Sequence, residues 1–305
     1  MRTIYTGEII ENTKKVIPPK ELDIWLPEKH IAIEYNGLAW HSDRPRDGKL
    51  LIPTGEGKSL AKWRHIEKTL LCEGQGIRLI HIFEDDWLHR RPIVESLIAN
   101  ALGKSRALPA RKCSIAPLSS TEYSAFLVKN HLLGSSPADI RLGLFYKGTL
   151  VQAIGIKSGG NHSRAPELVR MAPVLGTRIQ GGFSKLLAYV DSNYPEIRQL
   201  VSYIDRSVFT GEGYFSCGFS VVGENAPAYF YVRHQERYPR YLFMRKKIAA
   251  MHAAGKLSYW NPDETEEMNM YKNHYFRIWN CGTIKVAREM KGRTYVRQGA
   301  DKVQS

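Results

Sequence analysis

Five polar residues near the amino terminus have the types and spacing that chemistry needs: Asp23, Glu34, Asn36, His41 and Asp43. Asp23 and Glu34 each sit inside a short apolar run, residues 22–26 and 31–35, and a polar turn at Pro27–Lys29 joins the two. That pattern predicts a β-hairpin. A buried carboxylate is costly unless it is paired, so two on adjacent strands imply partners or a cation. Carboxylates beside an imidazole suit Mg2+ and a hydrolytic water. The alternative turns Asp23 and Glu34 to solvent and places His41 in the core.

The elements that must position these groups follow from the apolar pattern. Residues 44–56 are rich in Pro, Gly and charge and predict an exposed loop. A helix is expected over 58–73, with Leu60, Trp63, Ile66 and Leu70 on its apolar face. His65 and Lys68 share another face, either as additional site residues or as ordinary helix-surface charges. Gly74 and Gly76 end that helix, and residues 77–83 form an apolar strand. Glu84, Asp85 and Asp86 then suit the start of a helix. A further helix over 94–102 completes an α/β sandwich.

The segments ELDIWLP, IAIEYNGLAWHSD and HIEKTLLCEGQGIRLIHIFEDDW resemble the catalytic domain of phage homing endonucleases related to the very-short-patch-repair nucleases. Those enzymes belong to the PD-(D/E)xK superfamily, and the resemblance covers about residues 8–102. It implies that Asp23 and Glu34 hold Mg2+ or Mn2+, with the Tyr35 carbonyl as a further ligand. It makes His41 the general base or proton donor and Asp43 the second acid beside it. Asn36 stands where many superfamily members have lysine. Such proteins carry another acid before the hairpin; Glu8 or Glu11 stands in for it, or is a solvated strand-edge charge. Because one site cuts one strand at a time, a double-strand break requires two chains, as a homodimer on DNA, or two sequential events; the resemblance places the protein in the cytoplasm of a phage-infected host.

The composition agrees with an ordinary globular protein: 305 residues, 43% hydrophobic and 24% charged. No apolar run approaches the ~18 residues of a membrane span, and no signal-peptide pattern opens the chain. The four cysteines are scattered without a CxxC pair, which argues for a reducing intracellular setting. The net charge of +14 is uneven. Residues 1–104 hold 16 Lys and Arg against 15 Asp and Glu, whereas the rest hold 28 against 15. The field that would attract double-stranded DNA therefore belongs to the second part.

After a linker at 103–109, that part reads as helix 121–130, strands 140–146 and 150–156 turning at Lys147–Gly148, a polar loop at 159–165 and strand 167–172. The run RIQGGFSK from Arg178 to Lys185 opens a helix reaching residue 194, and strand 200–204, helix 209–217 and further strands follow. This order resembles the GNAT acetyltransferase fold over about residues 111–232. In that family a glycine-rich turn binds the pyrophosphate of acetyl-CoA through backbone N–H groups. Arg178 and Gly181 match the pattern. Phe183 occupies the last small position, where its bulk is expected to crowd a cofactor. The same turn, with Lys185, suits a DNA phosphate instead. The basic stretch RHQERYPRYLFMRKK offers Arg233, Arg237, Arg240, Tyr241, Arg245, Lys246 and Lys247 as DNA contacts.

The expected architecture is mixed α/β (α+β): a nuclease-like domain at 1–104, a GNAT-like domain at 105–235 and a basic extension at 236–305. The expected function is a Mg2+-dependent homing-type DNA endonuclease. The alternatives are a DNA-binding protein derived from such a nuclease and an acyl-CoA-dependent acetyltransferase.

Overall fold

The computed structural model describes residues 1–45, 60–159 and 165–291. Most of the expected loops at 44–56 and 159–165, the first residues of the expected helix at 58–73, and the tail after Lys291 lie outside the described residues. The fold is mixed α/β, in two compact units. One comprises residues 1–105, 203–211 and 222–285, the other residues 106–202, 212–221 and the chain from Val286 onward.

The first unit opens with β1 (Ile10–Ile17), β2 (Lys20–Leu26) and β3 (Ile31–Asn36), followed by helices α1 (Leu38–His41) and α2 (Leu60–Gly74) and strand β4 (Arg78–Phe83). Their sheet has the order β1-β2-β3-β4. The β2–β3 hairpin pairs Ile24 with Ile33 across the expected turn at Pro27–Lys29. β3 and β4 run parallel, which requires a crossover, and α2 lies in the connection between them. Leu22, Trp25, Ala32, Cys72 and Leu79 form the core beneath it. Helices α3 (Glu84–His89) and α4 (Arg91–Ala101) follow, with the three acids in the first turn of α3 where the helix dipole favours them.

The chain continues with β5 (Arg106–Pro109), β6 (Cys113–Pro117), α5 (Ser120–Asn130), β7 (Ile140–Tyr146), β8 (Thr149–Lys157), β9 (Glu167–Pro173), β10 (Thr177–Gln180), α6 (Gly182–Asn193), β11 (Gln199–Asp205), α7 (Glu212–Phe215) and β12 (Ser220–Asn225). A capping box between Ser119 and Glu122 starts α5. Lys147 and Gly148 both have positive φ, 50° and 78°, the conformation a two-residue hairpin turn requires. The main sheet runs β12-β16-β11-β9-β8-β7-β6, with β16 spanning Thr283–Glu289, and β10 pairs with β5 separately. Before β16 the first unit adds β13 (Tyr229–Arg233), β14 (Glu236–Pro239), α8 (Arg245–Ala253), α9 (Glu266–Lys272) and β15 (Phe276–Trp279). β13, β14 and β15 form a three-stranded sheet over a core of Tyr231, Phe243, Ile248, Leu257 and Met270. Among the described residues no helix is long and apolar enough to cross a membrane.

Candidate ligand site

In the second unit β8 and β9 pair from Gln152 to Lys157. β11 runs parallel to β9 on its other side, with Val201 opposite Glu167. The Val201 N–H donates to Pro166 O at 2.9 Å and the Ser202 hydroxyl to Leu168 O at 2.9 Å.

Beyond the end of β9, β10 feeds directly into α6. The cap residue Gly181 has φ 72°, which glycine adopts at little cost, and it offers no side chain to the helix start. Gly182 is required for a different reason. A Cβ there would lie 2.1 Å from Gln152 Oε1 and 2.8 Å from Ile179 Cγ2. The first-turn amides of α6 are the ones that helix geometry leaves without carbonyl partners, and with the dipole they form an anion cradle. Gln152 is buried beside them, and its Oε1 has no hydrogen-bond partner. A cleft of about 600 Å3 lies here, lined by Ala110, Arg111, Gln180, Gly181, Ser184 and Lys185 among others.

The expectation that Phe183 crowds this turn is corrected. Its ring is buried, stacked on Phe219 with centroids 5.8 Å apart and edge-on to Tyr214 at 5.3 Å. The side chain therefore fills the core, and its backbone stays at the cradle. Burial raises the Tyr214 phenol above its usual range, and the Ser202 hydroxyl lies 3.1 Å from it. Lys185, read from the sequence as a phosphate contact, donates to the carbonyls of Ala110 at 3.0 Å and Cys113 at 2.5 Å. Arg111 and Gln152 escaped the sequence reading because each reaches the site from a separate element.

In the first unit the acid-rich hairpin does assemble a polar cluster, but one that is internally paired. Glu34 is buried and accepts an ion-pair hydrogen bond from Lys68 through Oε1, while its Oε2 has no partner. Burial outweighs the Lys68 ammonium and pushes Glu34 up to about 7. Asp23 accepts the Tyr35 N–H at 2.8 Å. Asn36 Nδ2 meets His81 Nδ1 at 3.2 Å, and His81 Nε2 meets Thr69 Oγ1 at 2.9 Å. His41 Nδ1 lies 2.9 Å from His65 Nε2, and His65 Nδ1 lies 2.6 Å from Trp279 O. Burial holds His65 down to about 4, so it is neutral, donating to Trp279 O and accepting from His41. Asp43 is likewise buried, and accepts the Arg277 N–H at 2.6 Å and Nε at 2.8 Å. Tyr35 and Glu8 are exposed.

The basic stretch is also largely self-engaged. Arg237 donates Nε to Asp85 at 2.7 Å and Nη2 to Asp86 at 2.5 Å, over the Phe83 ring. Arg240 pairs with Glu266 at 2.9 Å, Arg245 donates to Pro262 O, and Lys247 to Tyr241 O at 2.8 Å. Arg233 donates to the Tyr275 hydroxyl at 3.3 Å. Tyr241 and Lys246 are exposed.

No known family profile matches the sequence, and no curated protein does. Among solved structures, the chain is similar to the ribosomal-protein-S18-alanine N-acetyltransferase of Escherichia coli, at 12% identity and a TM-score of 0.34, covering 63% of this chain and 99% of that one. It is similar to the IAA acetyltransferase of Bacillus cereus at 14% identity and TM-score 0.34, covering 58% and 99%. An aminoglycoside 6'-acetyltransferase type Ii follows at 13% and 0.33, covering 58% and 97%.

These findings correct the endonuclease expected from Asp23, Glu34, His41 and Asp43: the similar structures are acetyltransferases, not PD-(D/E)xK nucleases. The Mg2+ or Mn2+ site is corrected with it. Glu34 is engaged by Lys68 and Asp43 by Arg277, and among the described residues no three His, Cys, Asp or Glu are grouped to hold a metal. The homing and nuclease-derived DNA-binding readings fall with the enzyme that implied them.

Proposed function

We propose that the second unit is an acyltransferase that takes its acyl group from a CoA thioester. The observation that carries this reading is the glycine-led start of α6, beside the cleft, from which the Phe183 ring is turned away into the core. The first-turn amides of α6 and the Arg111 guanidinium suit a diphosphate. The cleft of about 600 Å3 is within the ~300–1,000 Å3 of small-molecule sites. CoA carries such a diphosphate. The thioester supplies the acyl group; an acceptor amine attacks its carbonyl carbon, the carbon–sulfur bond breaks, and the thiolate leaves as the amine loses a proton. The residues named here bind and orient; their amides and guanidinium hold the donor.

The test is hydrogen exchange of the full chain with and without CoA. Slowed exchange at residues 181–185 supports the reading. Unchanged exchange there at saturating CoA removes it. The Gly182→Val variant, whose side chain invades the place held by Gln152 and Ile179, should show no protection.

A further inference from the structure

Three strands of the second unit place an unusual row across one face of the sheet. The register sets Arg141 of β7 opposite Gly155 of β8, and Gly155 opposite Arg170 of β9. Cross-strand partners share a face, so the two arginines flank a glycine on one side of the sheet. That side is the one covered by α5. Ala153, two residues from Gly155 and hence on the same face, packs with Tyr123 and Leu127 of that helix. Gln152, on the opposite face, lies against Gly182 at the start of α6. The row is thus separated from the proposed CoA cleft by the thickness of the sheet.

The position above Gly155 is filled from α5. A Cβ on residue 155 would lie 1.9 Å from the Tyr123 hydroxyl oxygen and 3.0 Å from Ala138 Cβ, so glycine is required there and the phenol sits directly over the backbone. Tyr123 is 2% exposed, and its hydroxyl has no hydrogen-bond partner. An orphan buried hydroxyl is a standing cost unless something else satisfies it.

The arginines on either side are similarly incomplete. Arg141 donates Nε to Leu118 O and Nη1 to Ala138 O, while Arg170 donates Nε to Gly134 O and Nη1 to Val169 O. All four acceptors are neutral carbonyls. Among the described residues no carboxylate comes within 4.0 Å of either guanidinium, although other arginines of the chain, such as Arg237 and Arg288, have such a partner. Both are half-buried, and burial pulls the Arg170 guanidinium below its ordinary range. The neighbouring His131 is half-buried, accepts the Leu133 N–H at 3.0 Å, and is held down to about 3 by desolvation, so it brings no charge of its own. Two partly desolvated cations with no carboxylate within 4.0 Å, beside an unused phenol, suit an anion with at least two oxygens.

We infer that Arg141, Arg170 and Tyr123 form an oxyanion-binding site beside Gly155, on the α5 face of the sheet, for a ligand that presents a carboxylate or a phosphate. Each guanidinium is anchored by two backbone carbonyls, which fixes its direction and leaves Nη2 for the ligand; the Tyr123 O–H is the third donor. The site stands on its own observations. Its use to recognise an acidic acyl acceptor is the one clause that rests on the acyltransferase reading.

The experiment uses the full chain, with malonate and inorganic phosphate as probes, methylammonium as the charge control and CoA as a separate arm. The expected result is a saturable rise in melting temperature with malonate or phosphate and none with methylammonium. The tighter of the two anions then tells which group the natural ligand presents. Tyr123→Phe deletes only the orphan hydroxyl; it should keep its own melting temperature and bind the anion about tenfold more weakly, the loss of one charge-assisted hydrogen bond. Arg170→Gln should abolish the response. CoA protection at residues 181–185 should be unchanged in Tyr123→Phe, so failure here is distinguishable from failure of the acyltransferase reading. No saturable response, or one that Tyr123→Phe and Arg170→Gln leave intact, overturns the site.

Discussion

Phe183 stacks on Phe219 with an interplanar angle of 18°, and this contact decides what the glycine turn can do. By position in the sequence Phe183 belongs to the first turn of α6, where a bulky side chain pointing outward would close the approach to the helix amides. Its burial against Phe219 and Tyr214 leaves that approach to backbone atoms alone.

The same contact makes Phe183 a core residue. Phe183→Ala should destabilise the chain by about 3 kcal/mol, near the lower end for deleting a buried ring. Urea unfolding followed by tryptophan fluorescence reads this directly. A loss below about 1 kcal/mol would mean the ring is not held as described.

Glu34 sets a pH dependence. Its folded-state value of about 7 lies above its ordinary value of 4.5, so the folded state prefers the protonated acid. Its contribution is fully present below about pH 4.5, declines as pH rises through 7 and is flat above, a loss of roughly 3 kcal/mol at most. Glu34→Gln should flatten this part of the stability curve and be the more stable protein at pH 8 relative to its own value at pH 4.5. A pH profile that is the same in both proteins contradicts the assignment.

Arg237 holds the start of α3. Asp85 and Asp86 are both buried, and burial raises Asp86 while the Arg237 guanidinium opposes that rise. Arg237→Ala leaves these carboxylates without their shared cation and should cost about 3–5 kcal/mol. The triple change with Asp85→Asn and Asp86→Asn should recover part of the loss, because the uncompensated charges go with the cation. Thermal unfolding of the two variants compares them; equal instability would argue against the ion pairs as the cause.

Local rules made part of this fold legible. The β2–β3 hairpin, the Lys147–Gly148 turn and the glycine start of α6 depend on residues adjacent in sequence, and apolar alternation with turn chemistry located them. The pairing of Lys68 with Glu34 was half visible, since both were singled out, though as reagents and not as partners for each other. What sequence could not give were contacts made across long chain separations: Asp43 to Arg277, His65 to Trp279 O, Phe183 to Phe219. Each of these converts a group that reads as reactive or obstructive into one that is satisfied or stowed. The row of Arg141, Gly155 and Arg170 depends on the register of three strands and left no mark on any one of them.

The account rests on CoA thioester binding by the second unit, and calorimetric titration of the full chain with acetyl-CoA tests it most directly. Saturable binding with one site per chain, lost in Gly182→Val while Glu34→Gln binds normally, is the predicted result. Heats no larger than dilution for the folded wild-type chain, or binding that Gly182→Val leaves unchanged, would contradict it.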